Sequence, residues 1–329
     1  MPTGKHRFIP RACAAVAALA FCGLAAAQAY PAKPIRLIVP TGAGGAYDVV
    51  LRAMAPFLQE ELGQPWIVEN RAGAGGIIGL EAVARAEPDG YTLVNGGVSQ
   101  IVLNPLFVTK TPYNVQKDFT HIAMMGELVM ALYVHNSLRV QDMKGLIAYA
   151  KANPGKVAYG SSGVGMSFHL AGEMLALRTG TELTHVPYKS TAQALQDFFA
   201  GRLAMMFYPP AKPIMANVQS GNIIPIAAMY EKRLTPLPKV PTMAEVGVGD
   251  LGVSGWSGIS GPAGLPRPIV QRINQAINKT MVRPEMDKAY NSFTMQRPVV
   301  TPEQMTERIG REIEFWSAMI KKLGIKPQS

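Results

Sequence analysis

The stretch Pro34-Ile35-Arg36-Leu37-Ile38-Val39-Pro40-Thr41-Gly42-Ala43-Gly44-Gly45-Ala46-Tyr47-Asp48 decides the fold. Ile35–Val39 is a short apolar run with three β-branched residues, the signature of a buried strand. Gly42, Gly44 and Gly45 then allow a turn with positive φ and let a ligand approach the main chain. Asp48 opens a helix whose first amides lack intrahelical partners, so strand, turn and helix make a corner suited to an anion. A carboxylate there caps those amides and complements the helix dipole. Its alternative role is to accept a hydrogen bond from a ligand or from a cleft water.

The same grammar repeats outward from this corner. Further strands are expected at 66–69, 92–95, 157–160, 183–186, 203–207 and 223–229, and helices at 48–62, 78–85, 141–152, 167–178, 192–201, 267–282 and 302–323. Apolar runs alternating with amphipathic stretches predict an α/β protein with parallel sheets covered by helices. In the last helix Met305, Ile309, Ile313, Trp316 and Ile320 recur at spacings of three or four, one buried stripe. Surface loops are expected at Tyr208-Pro209-Pro210 and from Thr235 to Pro241, where prolines remove backbone donors.

Two more corners are glycine-dense: Asn70-Arg71-Ala72-Gly73-Ala74-Gly75-Gly76, and Gly160-Ser161-Ser162-Gly163-Val164-Gly165-Met166-Ser167. The G-x-G-x-x-G pattern would need glycine at Tyr47 or Ile78, and no G-K-[ST] follows, so nucleotide binding is excluded. Each corner can also be read as a tight turn without a ligand. For the Asn70 corner that reading is favoured, with Arg71 locking the turn.

Ile122–Val134, interrupted by Gly126-Glu127, and the Gly/Ser-rich run Val253–Gly261 around Trp256 break the rhythm. Both read as extended segments passing between lobes. Two crossings imply one lobe from residues 30–126 and 254–329, a second from 127–253, and hinges at the crossings.

Residues 1–29 read as a secretory signal peptide: Lys5, Arg7 and Arg11 form the basic region, Ala12 to Ala26 the apolar stretch, and Ala27-Gln28-Ala29 the cleavage site. The apolar stretch is too short and too Ala-rich for a transmembrane anchor. Phe21 before Cys22 argues against a lipoprotein. Cys13 and Cys22 are the only cysteines, so the exported chain has no disulfide, thiol nucleophile or thiolate metal site. The whole chain carries a formal charge of +10, and loss of the three signal cations leaves +7. That excess favours anionic partners, but it is dispersed, without the basic blocks of a nucleic-acid surface.

Enzyme readings find little support. From Gly160 the fifth position of G-x-S-x-G is Val164. His169 and Glu173 share a helical face but lack the third protein ligand of a catalytic zinc. His169 reads as a helix histidine bonded to the main chain and His185 as a strand end. His121 and His135 carry no motif.

Several motifs now converge: Pro34–Pro40, the turn ending in Asp48, Asn70–Gly76, Asp89-Gly90-Tyr91-Thr92-Leu93, Asn104-Pro105, Ser167 with His169–Glu173, His185-Val186-Pro187-Tyr188-Lys189, and Val240-Pro241-Thr242. Together they resemble the tripartite tricarboxylate transporter receptors, the Bug family, over essentially the whole exported chain. The resemblance implies a type II periplasmic-binding-protein fold, two α/β lobes joined by two crossing strands around a ligand cleft. It implies no enzyme activity and no cofactor. It implies a carboxylate bound at Thr41, Gly42, Ala43, Gly44, Gly45 and Asp48, at Gly97 and Ser99, at Ser161, Ser162, Gly163 and Ser167, and at Tyr188 and Thr191. The partner it implies is a membrane permease, the receptor being a monomer; a receptor reporting to a sensor protein is the alternative.

Departures from the family pattern shape the ligand expectation. Ala43 stands where proline is usual, Val164, Met166 and Phe168 where small polar residues are common, and Ala204 and Tyr208 where aspartates are common. If these side chains face the cleft, the pocket is unusually apolar and aromatic. Tyr47, Phe168 and Tyr208 then point to a hydrophobic carboxylate, with a terephthalate-like diacid as one candidate. The alternative is that these three are core residues.

Overall fold

A computed structural model describes residues 30–107, 111–161, 163–188, 190–251, 253 and 255–324. The segment read as a signal peptide lies outside these residues, as do Ser162 and Lys189.

The first half alternates β1 (Ile35–Val39), α1 (Ala46–Leu62), β2 (Trp66–Asn70), α2 (Ile77–Ala84) and β3 (Thr92–Gly97), followed by a π-turn at Ser99–Leu103 and the short α3 (Asn104–Phe107). β1 pairs in parallel with β2 and β3. The corners after all three strands therefore open at one edge, the carboxyl end of the parallel strands, where α/β sheets place ligands. β1 is apolar because it is an interior strand, paired on both sides by β3 and β2: Leu37, Ile38 and Val39 are each buried, at 1 % exposure. α1 buries Val50, Leu51, Met54, Leu58 and Leu62 and ends at Gly63, whose φ of 80° suits a left-handed cap.

The long β4 (Phe119–Leu128) runs almost directly into β5 (Met130–His135). A second alternating series follows: α4 (Met143–Ala152), β6 (Val157–Ser161), α5 (Ser167–Thr179), β7 (Leu183–Pro187), α6 (Thr191–Phe199), β8 (Met205–Tyr208), α7 (Lys212–Gln219) and β9 (Ile223–Met229). The chain then returns through β10 (Gly255–Pro262) to α8 (Arg267–Met281), α9 (Asp287–Asn291), β11 (Met295–Gln296) and α10 (Pro302–Leu323). Two mixed sheets result, in the orders β11-β4-β10-β3-β1-β2 and β7-β6-β8-β5-β9.

β4 and β10 pair antiparallel, with Leu128 opposite Gly255 at the end nearest the second sheet. Gly255 has no room for a side chain, since an added Cβ would lie 2.8 Å from the Leu128 carbonyl oxygen. The run from Ile122 is extended, as its sequence implies, and stays so through Gly126-Glu127, with a register shift against β10 beside Gly126. Pairing continues through Gly126, where a Cβ would meet Met295 Cε at 2.5 Å, and the change of sheet falls at Val129.

α10 buries Met305, Ile309, Trp316 and Ile320, with Ile313 partly buried, and starts with a reciprocal capping box between Thr301 and Gln304. The loop expected after Tyr208 is only Pro209 to Ala211, because α7 begins at Lys212 and carries Pro213 in its first turn, where a missing N–H costs nothing. Among the described residues no helix is long and apolar enough to cross a membrane, and no cluster of three metal-ligating side chains occurs.

Candidate ligand-binding cleft

A cavity of about 200 Å³ opens between the two sheets. The first sheet's corners contribute Pro40, Thr41, Tyr47, Gly97 and Ser99 to its wall, and the second sheet's corner contributes Ser167 and Phe168. Thr41 of the first corner and Ser167 at the end of the second thus reach one shared space. The helices that start at these corners, α1 and α5, follow Gly45 and Met166, neither of which caps its helix with a side chain. Their first amides remain available to an anion.

The first corner is held from behind by Asp48. Its carboxylate accepts hydrogen bonds from the Gly44 amide at 2.9 Å, from Asn70 Nδ2 at 2.9 Å and from Arg52 Nε at 3.2 Å. Asn70 also donates to the Thr41 carbonyl and accepts from Arg52 Nη2. Burial works to raise the Asp48 pKa, but these bonds outweigh it and hold the group below its ordinary value. Asp48 is 2 % exposed and fully engaged, so it shapes the corner and does not line the cavity. The Asn70 corner braces its neighbour, with Arg71 tied to Glu69 at 2.5 Å and to the Val39 carbonyl.

The second corner is held by histidines. Ser161 is fully buried, and its hydroxyl contacts the Gly163 carbonyl and amide and His185 Nε2 at 2.7 Å. The Gly165 amide donates to His169 Nδ1 at 3.0 Å, the main-chain bond expected of an ordinary helix histidine. Gly165 has a φ of +80°, and an added Cβ would lie 2.9 Å from the Phe107 ring. Phe107 ends α3, beyond β3 of the first sheet, so this glycine is one place where the two halves touch.

Of the residues anticipated as ligand contacts, the cavity gathers Thr41, Tyr47, Gly97, Ser99, Ser167 and Phe168. Gly42, Ala43, Gly44 and Gly45 are exposed on the turn beside it. Ser161 and Gly163 stand behind the second corner; Tyr188 donates to Asp197 at 2.8 Å, and Thr191 opens α6. Tyr208 is not in the wall but lies against Phe168, ring centroids 6.2 Å apart. The expectation of a broadly more apolar pocket narrows accordingly: of Val164, Met166, Phe168, Ala204 and Tyr208, only Phe168 reaches the cavity.

Sequence reasoning missed Asn95, Gln100, Leu128, Met130, Pro209 and Ser257 of the wall. Asn95 Nδ2 donates to Ser257 Oγ at 2.6 Å, a pairing made by β3 and β10 across 162 residues. Gln100 Oε1 accepts from the Gly97 amide at 3.1 Å, occupying a donor that a ligand was expected to use. No wall residue carries a charged side chain.

Two α/β halves, a doubled crossing and a cleft at the strand ends define a type II periplasmic-binding-protein fold. Comparison with known proteins then supplies the family: the model described as "Tripartite tricarboxylate transporter family receptor" matches residues 50–325, and the chain belongs to that family. It is 34% identical over 313 residues to Protein BugT of Bordetella pertussis, covering 94% of this chain and 95% of that one. Among solved structures, R. palustris Rpa4515 with adipate superposes with a TM-score of 0.78 at 31% identity, covering 91% of this chain and all of the other. MatC from Rhodopseudomonas palustris with bound malate gives 0.73 at 25% identity, with 88% of this chain and 100% of that one covered. The family is one of transporter receptors, not of enzymes.

Proposed function

We propose that this receptor works in the periplasm, captures a dicarboxylate with an apolar body, and presents it to the membrane permease of a tripartite transporter. The observation that carries this reading is the cavity wall. It combines hydroxyl and amide groups of Thr41, Ser99, Gln100 and Ser167 with apolar surface from Pro40, Val98, Leu128, Met130, Phe168 and Pro209, and has no charged side chain. Amides at two helix starts favour a carboxylate at either end, and the apolar surface favours carbon between them. The relatives solved with adipate and malate support a diacid. Phe168, backed by Tyr208, supports an aromatic body of the terephthalate kind as the narrower form of the proposal.

In this reading residues 1–29 are removed on export. Residues 30–126 and 254–329 form one lobe, 127–253 form the other, and the monomer closes about the crossings. Closure follows ligand only if the closed state binds it more tightly. Calorimetry with adipate, terephthalate, malate and citrate tests the ligand class. Adipate and terephthalate are expected to bind more tightly than citrate; binding of citrate alone would refute the apolar-body reading. Loss of uptake of the bound acid in a receptor-deleted strain is expected if the permease role is right.

A further inference from the structure

Tyr47 occupies an unusual place for a residue of a ligand wall. It follows the first corner by two residues and precedes Asp48, which holds that corner through the Gly44 amide. It lines the cavity, and its hydroxyl donates to the carbonyl of Gly255. The Leu128 backbone faces the same oxygen. Leu128 and Gly255 are paired across β4 and β10, and each is the terminal residue of its strand, where the chain leaves or joins the first sheet. Both also line the cavity.

One side chain thus touches three things: the ligand space, the corner that receives a carboxylate, and the two crossing strands where they pivot. We propose that Tyr47 is a positioning residue that couples occupation of the first corner to the hinge, through its hydroxyl on the crossing strands. This rests on the receptor reading above. A ligand pressing on the Tyr47 ring or on the corner moves α1's first turn, and the hydroxyl carries that movement to Gly255 and Leu128. Gly255 cannot accept a side chain, so the crossing strands lie close enough for one hydroxyl to reach both.

Tyr47→Phe keeps the ring and removes only the coupling group. The hinge is read by the distance between spin labels on Glu87→Cys, exposed near the first sheet, and Lys151→Cys, exposed near the second, in the chain from residue 30 on, which has no other cysteine. Without ligand, Tyr47→Phe is expected to broaden the distance distribution relative to the parent. With saturating adipate or terephthalate, the closed population is expected to fall, and dissociation to quicken about tenfold while association changes little, a loss of closed-state affinity. An unchanged melting temperature separates this from general unfolding; should Tyr47→Phe fail to fold, Tyr47→Trp, which also lacks the phenolic hydroxyl, is measured in the same way. Identical distributions and identical dissociation rates for parent and variant would overturn the proposal. If the parent shows no shift with either acid, the receptor reading fails instead, and the ligand-free comparison still tests the coupling.

Discussion

The imidazole rings of His169 and His185 lie with their centroids 4.1 Å apart and their planes tilted by 39°, and each is bonded to the Gly-rich corner of the second lobe, His169 to the Gly165 amide and His185 to Ser161. His169 Nδ1 accepts from an amide, so that nitrogen must be unprotonated. Tyr159 donates to Glu173 at 2.7 Å, and Glu173 stands 3.7 Å from His169 Nε2. Burial lowers His169 to about 4; His185 is also lowered to about 4, by burial and the neighbouring His169, with Glu173 opposing.

A neutral folded histidine contributes stability above its unfolded pKa of about 6.5 and loses it as pH falls toward the folded value. The urea midpoint is therefore expected to be level above pH 7 and to decline between pH 6.5 and 4. Buried His121, also lowered to about 4, contributes with the same sign. A His169→Gln/His185→Gln variant should show a shallower decline, the remainder belonging to His121 and, at the acid end, to carboxylates held low in the fold such as Asp48 and Glu69. Parallel profiles for parent and variant would contradict this account.

Asp48 is a brace, and its removal should act on the fold as well as on the cleft. Asp48→Ala leaves the Gly44 amide, Asn70 and Arg52 without their shared acceptor. A loss of about 1–3 kcal/mol in unfolding free energy is expected from stranding such donors. Urea denaturation measures it; an unchanged midpoint would show that the corner stands without its carboxylate.

Gly165 meets two constraints at once, positive φ and the Phe107 ring. Gly165→Ala is expected to cost about 1–2 kcal/mol from backbone conformation alone, before any clash. Pairing it with Phe107→Leu should recover part of the loss by removing the ring. Thermal melts of the single and double variants check this; full additivity would mean that the two residues do not meet.

Arg308 on α10 is shared by two carboxylates, Glu127 of β4 at 2.7 Å and Glu312 at 2.9 Å, and Trp256 Nε1 donates to Glu312 at 2.8 Å. Burial pushes the Glu312 carboxyl up in spite of Arg308. Two acids around one cation make the partners unequal. Arg308→Met leaves both carboxylates unpaired and should cost about 3–5 kcal/mol, whereas Glu312→Gln leaves the Arg308–Glu127 pair intact and should cost much less. Chemical denaturation of both variants decides; equal losses would refute the inequality.

What was legible in the sequence was local. Ile35–Val39 and Ile223–Met229 have the bounds that their apolar runs imply, and α10 follows its apolar stripe from Pro302 to Leu323. α7 was not anticipated: it follows directly on the Pro209-Pro210 loop, and Pro213 sits in its first turn, where proline is harmless. The Gly-rich corners were legible as corners, but the direction of their side chains was not. Ser161 turns inward because His185, 24 residues on, waits for it. Asn95 and Ser257 entered the wall through a strand pairing that no spacing encodes. Phe168 and Tyr208 were both visible as aromatic departures, but only the three-dimensional arrangement separates the wall from its backing.

The central claim is that one diacid is held between the corner at Thr41 and the corner at Ser167. A crystal structure with adipate or terephthalate measures this directly. The account predicts one carboxylate within hydrogen-bonding distance of the 41–45 amides, the other reaching the 163–167 segment, and the carbon body against Phe168. A diacid bound elsewhere, or seated in the cleft with both carboxylates away from these corners, would contradict it.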